Sequence, residues 1–497
     1  MDGHGTWAPA LLLVLGSVTT AAAQDDVEEA ERMVVETIVV DLEDGGELAA
    51  ERGVLTIPIV RSDPRSTPIQ IEFHRFSTSA GETDRPPIFL LRGGPGFRGL
   101  GPQLAREGFY ERNSRELAAV ADVVVVGQRG IGSSTPDTRC KPRERETLDA
   151  AVSAEEAAAL VAEGCRRCRE HWEAEGLELE GLNVLEAADD VVEIATLLGY
   201  RRITLVGGSF GSHWGMVILR RHRERVARVL LSGLEGPDHT YDMPSGVLRS
   251  LERIAAAAEA SPRLAEHVPE GGLLAAFADA VARVEAEPVM VEAGTTRVLI
   301  DGRRLRGAAL GTTARTGSRR GIRTWPADVL RILEGDLEAV AWALVRENFV
   351  PGLPTASFFM LDCGSGISTE RRATLLADPA AEIVGALGSF YEAACPVWGS
   401  DLGEDFRRNF ETDVPAILVH GTWDTSTPFD NALELEPFFE NGKLVVVEGG
   451  SHGAFSEALQ ESPGFRAEVM EFLATGDMEG VPELVELGPL DWEVPGE

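Results

Sequence analysis

Short apolar runs recur along the first half of the chain, each followed by a polar or glycine-rich break. Residues 54–60 and 69–76 read as early strands, separated by the turn-prone Ser62-Asp63-Pro64. Pro87-Ile88-Phe89-Leu90-Leu91 is a third strand, and Arg92-Gly93-Gly94-Pro95-Gly96 follows it. An amphipathic stretch at 101–117 precedes Asp122-Val123-Val124-Val125-Val126, whose four valines fit a parallel strand covered on both faces. Residues 187–198 have helical spacing. Residues 203–206 form another apolar run and lead into Gly207-Gly208-Ser209-Phe210-Gly211. A helix is expected over 212–226 and a strand over 229–231. Strands alternating with helices predict an α/β fold, with a mostly parallel central sheet and helices on both faces.

After residue 236 the rhythm breaks. Residues 237–412 are rich in Ala, Leu and Glu, with helical periods and glycine-bearing loops, and read as an inserted helical cap. Strand-like runs return at 414–419 and 443–447, and a helix is expected near 465–473. The sheet domain is therefore expected in two pieces, 24–236 and 413–497, around the insertion. Residues 10–18 are apolar and Ala21-Ala22-Ala23 supplies small residues before Gln24, so 1–23 reads as a signal peptide although its start carries no Lys or Arg. The run is too short to span a bilayer, which needs about 20 residues. The expectation is a secreted or periplasmic protein without membrane insertion.

Composition narrows the field. With 44% hydrophobic and 26% charged residues the chain suits an ordinary globular protein. The net charge of −35 argues against nucleic acid, which needs clustered Lys and Arg. Lysine occurs only at 141 and 443, so arginine carries nearly all the positive charge. The five cysteines, 140, 165, 168, 363 and 395, fit two disulfides and one thiol in an exported protein. Cys165-Arg166-Arg167-Cys168 has metal-ligand spacing, but no second CxxC or His pair accompanies it, which argues against zinc. Cys140 is expected to pair with Cys165 or Cys168, and Cys363 with Cys395.

Gly207-x-Ser209-x-Gly211 after an apolar strand and before a helix is the setting of a nucleophilic serine. The glycines allow a sharp strand-to-helix turn, and the helix start leaves N–H groups for an oxyanion. A serine hydroxyl needs a base. His452, in Gly449-Gly450-Ser451-His452-Gly453, is the histidine that lies past the last strand in a loop. His213 and His222 fall on the helix after Ser209, and His420 ends a strand; packed or surface roles suit all three. Asp424 falls just beyond the strand over 414–419, where such sheets place functional groups, with Asp430 as the alternative acid. The catalytic expectation is Ser209, Asp424 and His452, with backbone N–H groups of Gly94 and Phe210 as the oxyanion hole. Gly94-Pro95-Gly96-Phe97-Arg98-Gly99 also spells G-x-G-x-x-G, but the next strand ends in Gly127-Gln128-Arg129 rather than an acid for a ribose, so a dinucleotide site is not expected.

These motifs resemble the prolyl iminopeptidase and tripeptidyl aminopeptidase group of α/β-hydrolases. The resemblance spans nearly all of the chain after residue 23. It rests on Gly53-Val54-Leu55-Thr56-Ile57-Pro58, Gly93-Gly94-Pro95-Gly96, Gln128-Arg129-Gly130-Ile131-Gly132-Ser133-Ser134, the Ser209 turn, Asp424 and His452. Arg92 and Gly127 stand where the family has His and Asp. The resemblance implies cleavage at a free N-terminus, no metal or organic cofactor, and acidic residues such as Glu392, Asp362 or Asp401 toward the substrate's amino group. The expected partner is a peptide or small acyl substrate. An esterase on the same scaffold is the competing reading, since fold does not fix substrate, and a non-catalytic binding protein is a third.

Overall fold

The computed structural model describes residues 32–41, 46–79, 81, 84–96, 100, 114–141, 146–310, 317–349 and 354–496. The expected signal peptide and most of the amphipathic stretch at 101–117 lie outside the described residues.

Ten strands form one sheet and two form a hairpin. In chain order they are β1 (Met33–Asp41), β2 (Glu47–Pro58), β3 (Pro68–Phe76), β4 (Ile88–Leu91), β5 (Val123–Val126), β6 (Ile203–Gly208), β7 (Val226–Ser232), β8 (Val289–Ala293), β9 (Thr296–Ile300), β10 (Ala416–Gly421), β11 (Gly442–Glu448) and β12 (Leu484–Glu486). The sheet order is β1-β2-β3-β5-β4-β6-β7-β10-β11-β12. β1, β2 and β3 pair antiparallel along one edge, and β3 is antiparallel to β5. From β5 through β12 every pairing is parallel.

β4, β5 and β7 are buried at every position. Their side chains alternate between two cores. Phe89, Leu91, Val124 and Val126 pack on one face with the helices Val184–Leu197 and Phe210–His222. Ile88, Leu90, Val123 and Val125 pack on the other with the helices Ala454–Glu461 and Pro463–Thr475. A strand covered twice needs apolar residues at consecutive positions, which is why the valine run was readable. The helix after Ser209 ends at His222, earlier than the periodicity predicted, because Val226 already enters β7.

Between β7 and β10 the described residues form helices and the β8–β9 hairpin; the hairpin and most of the helices enclose a third core, while Ala356–Ser365 and Ser389–Trp398 pack into the first. The hairpin departs from the all-helical expectation. Its strands, Val-Met-Val-Glu-Ala and Thr-Arg-Val-Leu-Ile, carry β-branched residues and turn at Gly294, whose φ is +62°. Cys363 and Cys395 form a disulfide that joins the helices Ala356–Ser365 and Ser389–Trp398. Cys140 pairs with Cys168 on the helix Ala154–Ala174, and the buried Cys165 belongs to neither disulfide. No helix among the described residues is long and apolar enough to cross a membrane.

Candidate active site

Ser209 stands between β6 and the helix Phe210–His222 with φ 56° and ψ −133°. It is the one non-glycine residue with positive φ among those described. For a residue with a Cβ this conformation is strained and persists only where its surroundings enforce it. Both flanking glycines are required by close approach. A Cβ on Gly207 would stand 2.3 Å from the carbonyl oxygen of Gly211, and one on Gly211 would stand 2.2 Å from that of Leu91. Ser209 N–H donates to the Ser232 carbonyl at the end of β7, at 3.0 Å.

The loop after β4 passes beside this turn. A Cβ on Gly93 would stand 3.2 Å from that of Ser209. Gln128 holds the loop through three bonds: its Nε2 donates to the carbonyls of Arg92 and Gly93, both at 3.1 Å, and its Oε1 accepts from Gly96 N–H at 2.8 Å. Arg129 is fully buried and reaches both carboxylate oxygens of Asp190, at 2.8 and 2.7 Å, so the Gln-Arg pair anchors the loop to the core. Gly127 has a local reason. Its N–H donates to the Glu72 carbonyl, and a Cβ there would stand 2.7 Å from that oxygen. Phe210 is the first residue of its helix, so its N–H has no acceptor within the helix.

Asp424 is fully buried beyond β10. Its carboxylate accepts from the backbone N–H groups of Ser426 and Thr427, both at 2.9 Å, and from the Thr427 hydroxyl at 2.8 Å. His452 Nδ1 donates to its Oδ2 at 2.9 Å. Burial alone would raise the carboxyl's pKa, but the adjacent His452 charge and these donors outweigh it and leave Asp424 at about 2. Burial disfavours the charged form of His452, yet Asp424 prevails and the imidazole titrates above its usual 6.5. A quarter of the ring remains exposed. The loop carrying it is fixed by Glu457, whose carboxylate accepts from Ser451 N–H. Asp424 and His452 are thus in direct contact. Among the described residues no hydrogen bond joins Ser209 to His452; what relates them is β7, because Ser209 N–H donates to the Ser232 carbonyl and a Cβ on the next residue, Gly233, would stand 3.2 Å from the His452 ring. Asp430 instead pairs with Arg249.

Three further carboxyl groups act on one another, and one of them, Asp242, also feels the charges of this pair. Burial, followed by the charge of Asp424, pushes Asp242 up to about 8. Burial pushes Asp362 up to about 7, against the pull of Tyr391, whose hydroxyl donates to it at 2.6 Å. Glu235 is driven well above the usual range by burial, then by Asp362 and Asp242. The rings of Tyr241 and Tyr391 lie 5.0 Å apart, and Phe358, facing Gly96 of the loop after β4, stacks on Tyr391. Of the acidic residues that the resemblance pointed to, Asp362 is in this cluster. Glu392 is paired with Arg372 and Asp401 with Arg407 at more open positions. Glu235 and Asp242 were not foreseen. Their signal was positional: both follow the C-terminal end of a parallel strand, β7, where such sheets gather function.

Comparison with known proteins agrees with this architecture. Residues 86–264, which include Ser209, match a family model described as alpha/beta hydrolase fold. Residues 383–482, which include Asp424 and His452, match one described as TAP-like protein. The chain belongs to the α/β-hydrolase superfamily. Within it, the C-terminal part carries the TAP-like segment. YuaR of Escherichia coli (strain K12), a protein named as a hydrolase, is 25% identical over 162 residues, 33% of this chain and 30% of its own length. Similar solved structures include a thermophilic esterase from Thermogutta terrifontis, at 13% identity and a TM-score of 0.36 over 88% of this chain and 100% of that one. Epoxide Hydrolase A from Mycobacterium thermoresistibile has 13% identity and a TM-score of 0.35 over 82% of this chain and 95% of that one.

Proposed function

We propose that the protein is an exported serine aminopeptidase that releases residues or short peptides from free N-termini. Ser209 Oγ attacks the scissile carbonyl carbon while its proton passes to His452 Nε2. Asp424 holds Nδ1–H and stabilises the imidazolium. The N–H groups of Phe210 and Gly94 receive the oxyanion. Collapse of the tetrahedral intermediate breaks the C–N bond, His452 delivers its proton to the leaving amine, and the acyl group stays on Ser209. Water repeats the sequence, giving its proton to His452 and releasing the acid and the serine.

The observation that carries the peptidase reading is the mutually interacting set Glu235, Asp242 and Asp362, of which Asp242 also feels the charges of His452 and Asp424. Carboxyl groups whose titration is raised by burial and by one another hold on to their protons, and a substrate ammonium would let them ionise and form charge-assisted hydrogen bonds. A neutral acyl ester offers no such gain. Two disulfides fit an oxidising compartment outside the cytoplasm. The insert 237–412, which supplies Asp242 and Asp362, acts as the cap over the site.

The test is a matched substrate panel, with aminoacyl and peptidyl anilides bearing a free amine set against their N-acetylated counterparts and short acyl esters. Ser209→Ala serves as blank. A preference for the free amine of about tenfold or more is expected, the worth of one hydrogen bond to a charged group. Equal or better turnover of the blocked substrates would transfer the protein to the esterase reading. Activity retained by Ser209→Ala would reject the nucleophile.

A further inference from the structure

The segment Leu234-Glu235-Gly236 leaves β7 and runs between the Ser209 helix and the acid loop. Side chains from both sides hold its backbone. Leu234 N–H donates to His420 Nδ1 at 3.0 Å, and the Leu234 carbonyl accepts from Asn431 at 3.2 Å. Glu235 N–H donates to Ser212 Oγ at 2.9 Å, and that hydroxyl donates in turn to the Ser209 carbonyl at 2.7 Å. Gly236 N–H donates to His239 Nδ1, and the Gly236 carbonyl lies 3.0 Å from His213 Nδ1.

These contacts fix the three imidazole tautomers. His420 Nδ1 accepts, so Nε2 carries the proton and donates to the Thr427 carbonyl at 2.7 Å. His239 Nδ1 also accepts, so the proton sits on Nε2, which lies 3.0 Å from Glu434 as a charge contact outside hydrogen-bond geometry. His213 has the other tautomer: Nδ1–H donates to Gly236, and Nε2 accepts from the Ser365 hydroxyl at 2.9 Å. All three rings are buried, and burial pulls each below its usual titration range. Three neutral histidines therefore link the short segment bearing Glu235 to three other elements. His213 links it to the insert helix that carries Asp362, His420 to the loop that cradles Asp424, and His239 to Glu434.

We propose that His213, His239 and His420 are positioning residues that set the Glu235 carboxyl, and so the selectivity for a substrate's free amine. None of the three is asked to touch substrate. This inference rests on the aminopeptidase reading and concerns how one member of its acidic cluster is held. An amide such as glutamine reproduces one end of each bridge and not both, so the segment loses its tether; the triad keeps its own bonds in His213→Gln and His239→Gln, whereas His420 Nε2 also lies 3.5 Å from Asp424 Oδ2, so His420→Gln is read only against the other two.

The experiment measures kcat and KM for a free-amine anilide and for a blocked acyl ester in His213→Gln, His239→Gln and His420→Gln, with melting followed alongside. Ser365→Ala is the milder partner. It removes the hydroxyl that faces His213 Nε2 at 2.9 Å and leaves the ring and its bond to Gly236 in place. The expected result is a rise in KM for the free-amine substrate of about tenfold with little change for the ester, and a smaller shift of the same sign in Ser365→Ala. A merely structural role would lower melting temperature without moving the amine-to-ester ratio, and that outcome in the folded variants overturns the proposal. Glu235→Gln separates the two levels. If it leaves the amine preference intact, the assignment of Glu235 in the aminopeptidase reading fails. If it abolishes the preference while the histidine variants keep it, only the positioning role fails.

Discussion

Replacing Asp424 with Asn tests the proposed chemistry and a piece of the stability at once. The side-chain oxygen of Asn can still accept from Ser426 and Thr427 N–H, as Asp424 Oδ1 does at 2.9 Å. Its NH₂ group then faces His452 Nδ1, where Asp424 Oδ2 now accepts at 2.9 Å. Two donors cannot share that contact, so Nδ1 gives up its proton and Nε2 keeps one. The nitrogen that should accept the Ser209 proton is thereby turned into a donor. In serine proteases with intact geometry this wrong tautomer lowers kcat by about 10⁴-fold. The stability effect has a defined sign. Asp424 titrates at about 2 in the fold against a reference of 3.8, a depressed pKa, so its contribution is present above 3.8 and is lost as pH falls through 2. At 1.36 kcal/mol for each tenfold step in proton affinity, that is on the order of 2–3 kcal/mol. The assays are steady-state kinetics at neutral pH and urea melts across pH 2–6. The Asn variant should be nearly inactive, and its stability should fall less steeply between pH 4 and 2. A kcat within about tenfold of the parent in a normally melting variant would refute the reasoning.

Other outcomes are equally open to measurement. Removing the loop clamp with Gln128→Leu should lower kcat by about 10²-fold with a smaller change in KM, since an oxyanion donor is displaced while substrate contacts persist; an unchanged kcat would detach Gln128 from the chemistry. His452 titrates above 6.5 and works as a base only when neutral, so kcat/KM should fall as pH drops through a point above 6.5. An acid limb centred below about pH 5 would point to a different base. Gly127→Asp, which installs the residue the resembled family carries there, should destabilise by roughly 1–3 kcal/mol, because the Glu72 carbonyl oxygen occupies the space. A variant as stable as the parent would show that the strand shifts without strain.

What was legible in the sequence follows physical lines. The parallel core was readable because strands covered on both faces must be apolar at successive positions, as in Val123-Val124-Val125-Val126. The Ser209 turn was readable because backbone contact near 2 Å leaves room only for glycine at 207 and 211. β1 was not foreseen. It is an edge strand with Val34, Val35 and Val39 exposed and Val40 buried beside them, so its apolar positions do not alternate into one buried face that would mark it. The β8–β9 hairpin was lost in a segment dominated by helical spacing. Glu235 and Asp242 were invisible for another reason: in a chain of net charge −35, a buried acid looks like any solvated one until burial is known. His213 and His420 were read as structural, and His239 carried no motif to mark it. All three are packed against one stretch of backbone.

The Cys363–Cys395 bridge divides the site into two kinds of dependence. Ser209, Asp424 and His452 follow sheet strands rather than standing on the two helices that the bridge joins. Asp362 and Tyr391 sit on the two helices that the bridge staples together, next to Cys363 and one turn before Cys395. On the proposed reading, protein produced in a reducing host would keep a serine that still reacts with a fluorophosphonate, while the acidic cluster proposed to bind the substrate's free amine drifts apart. Labelling of the serine is then no measure of whether a preparation is authentic; discrimination between free and blocked ends is.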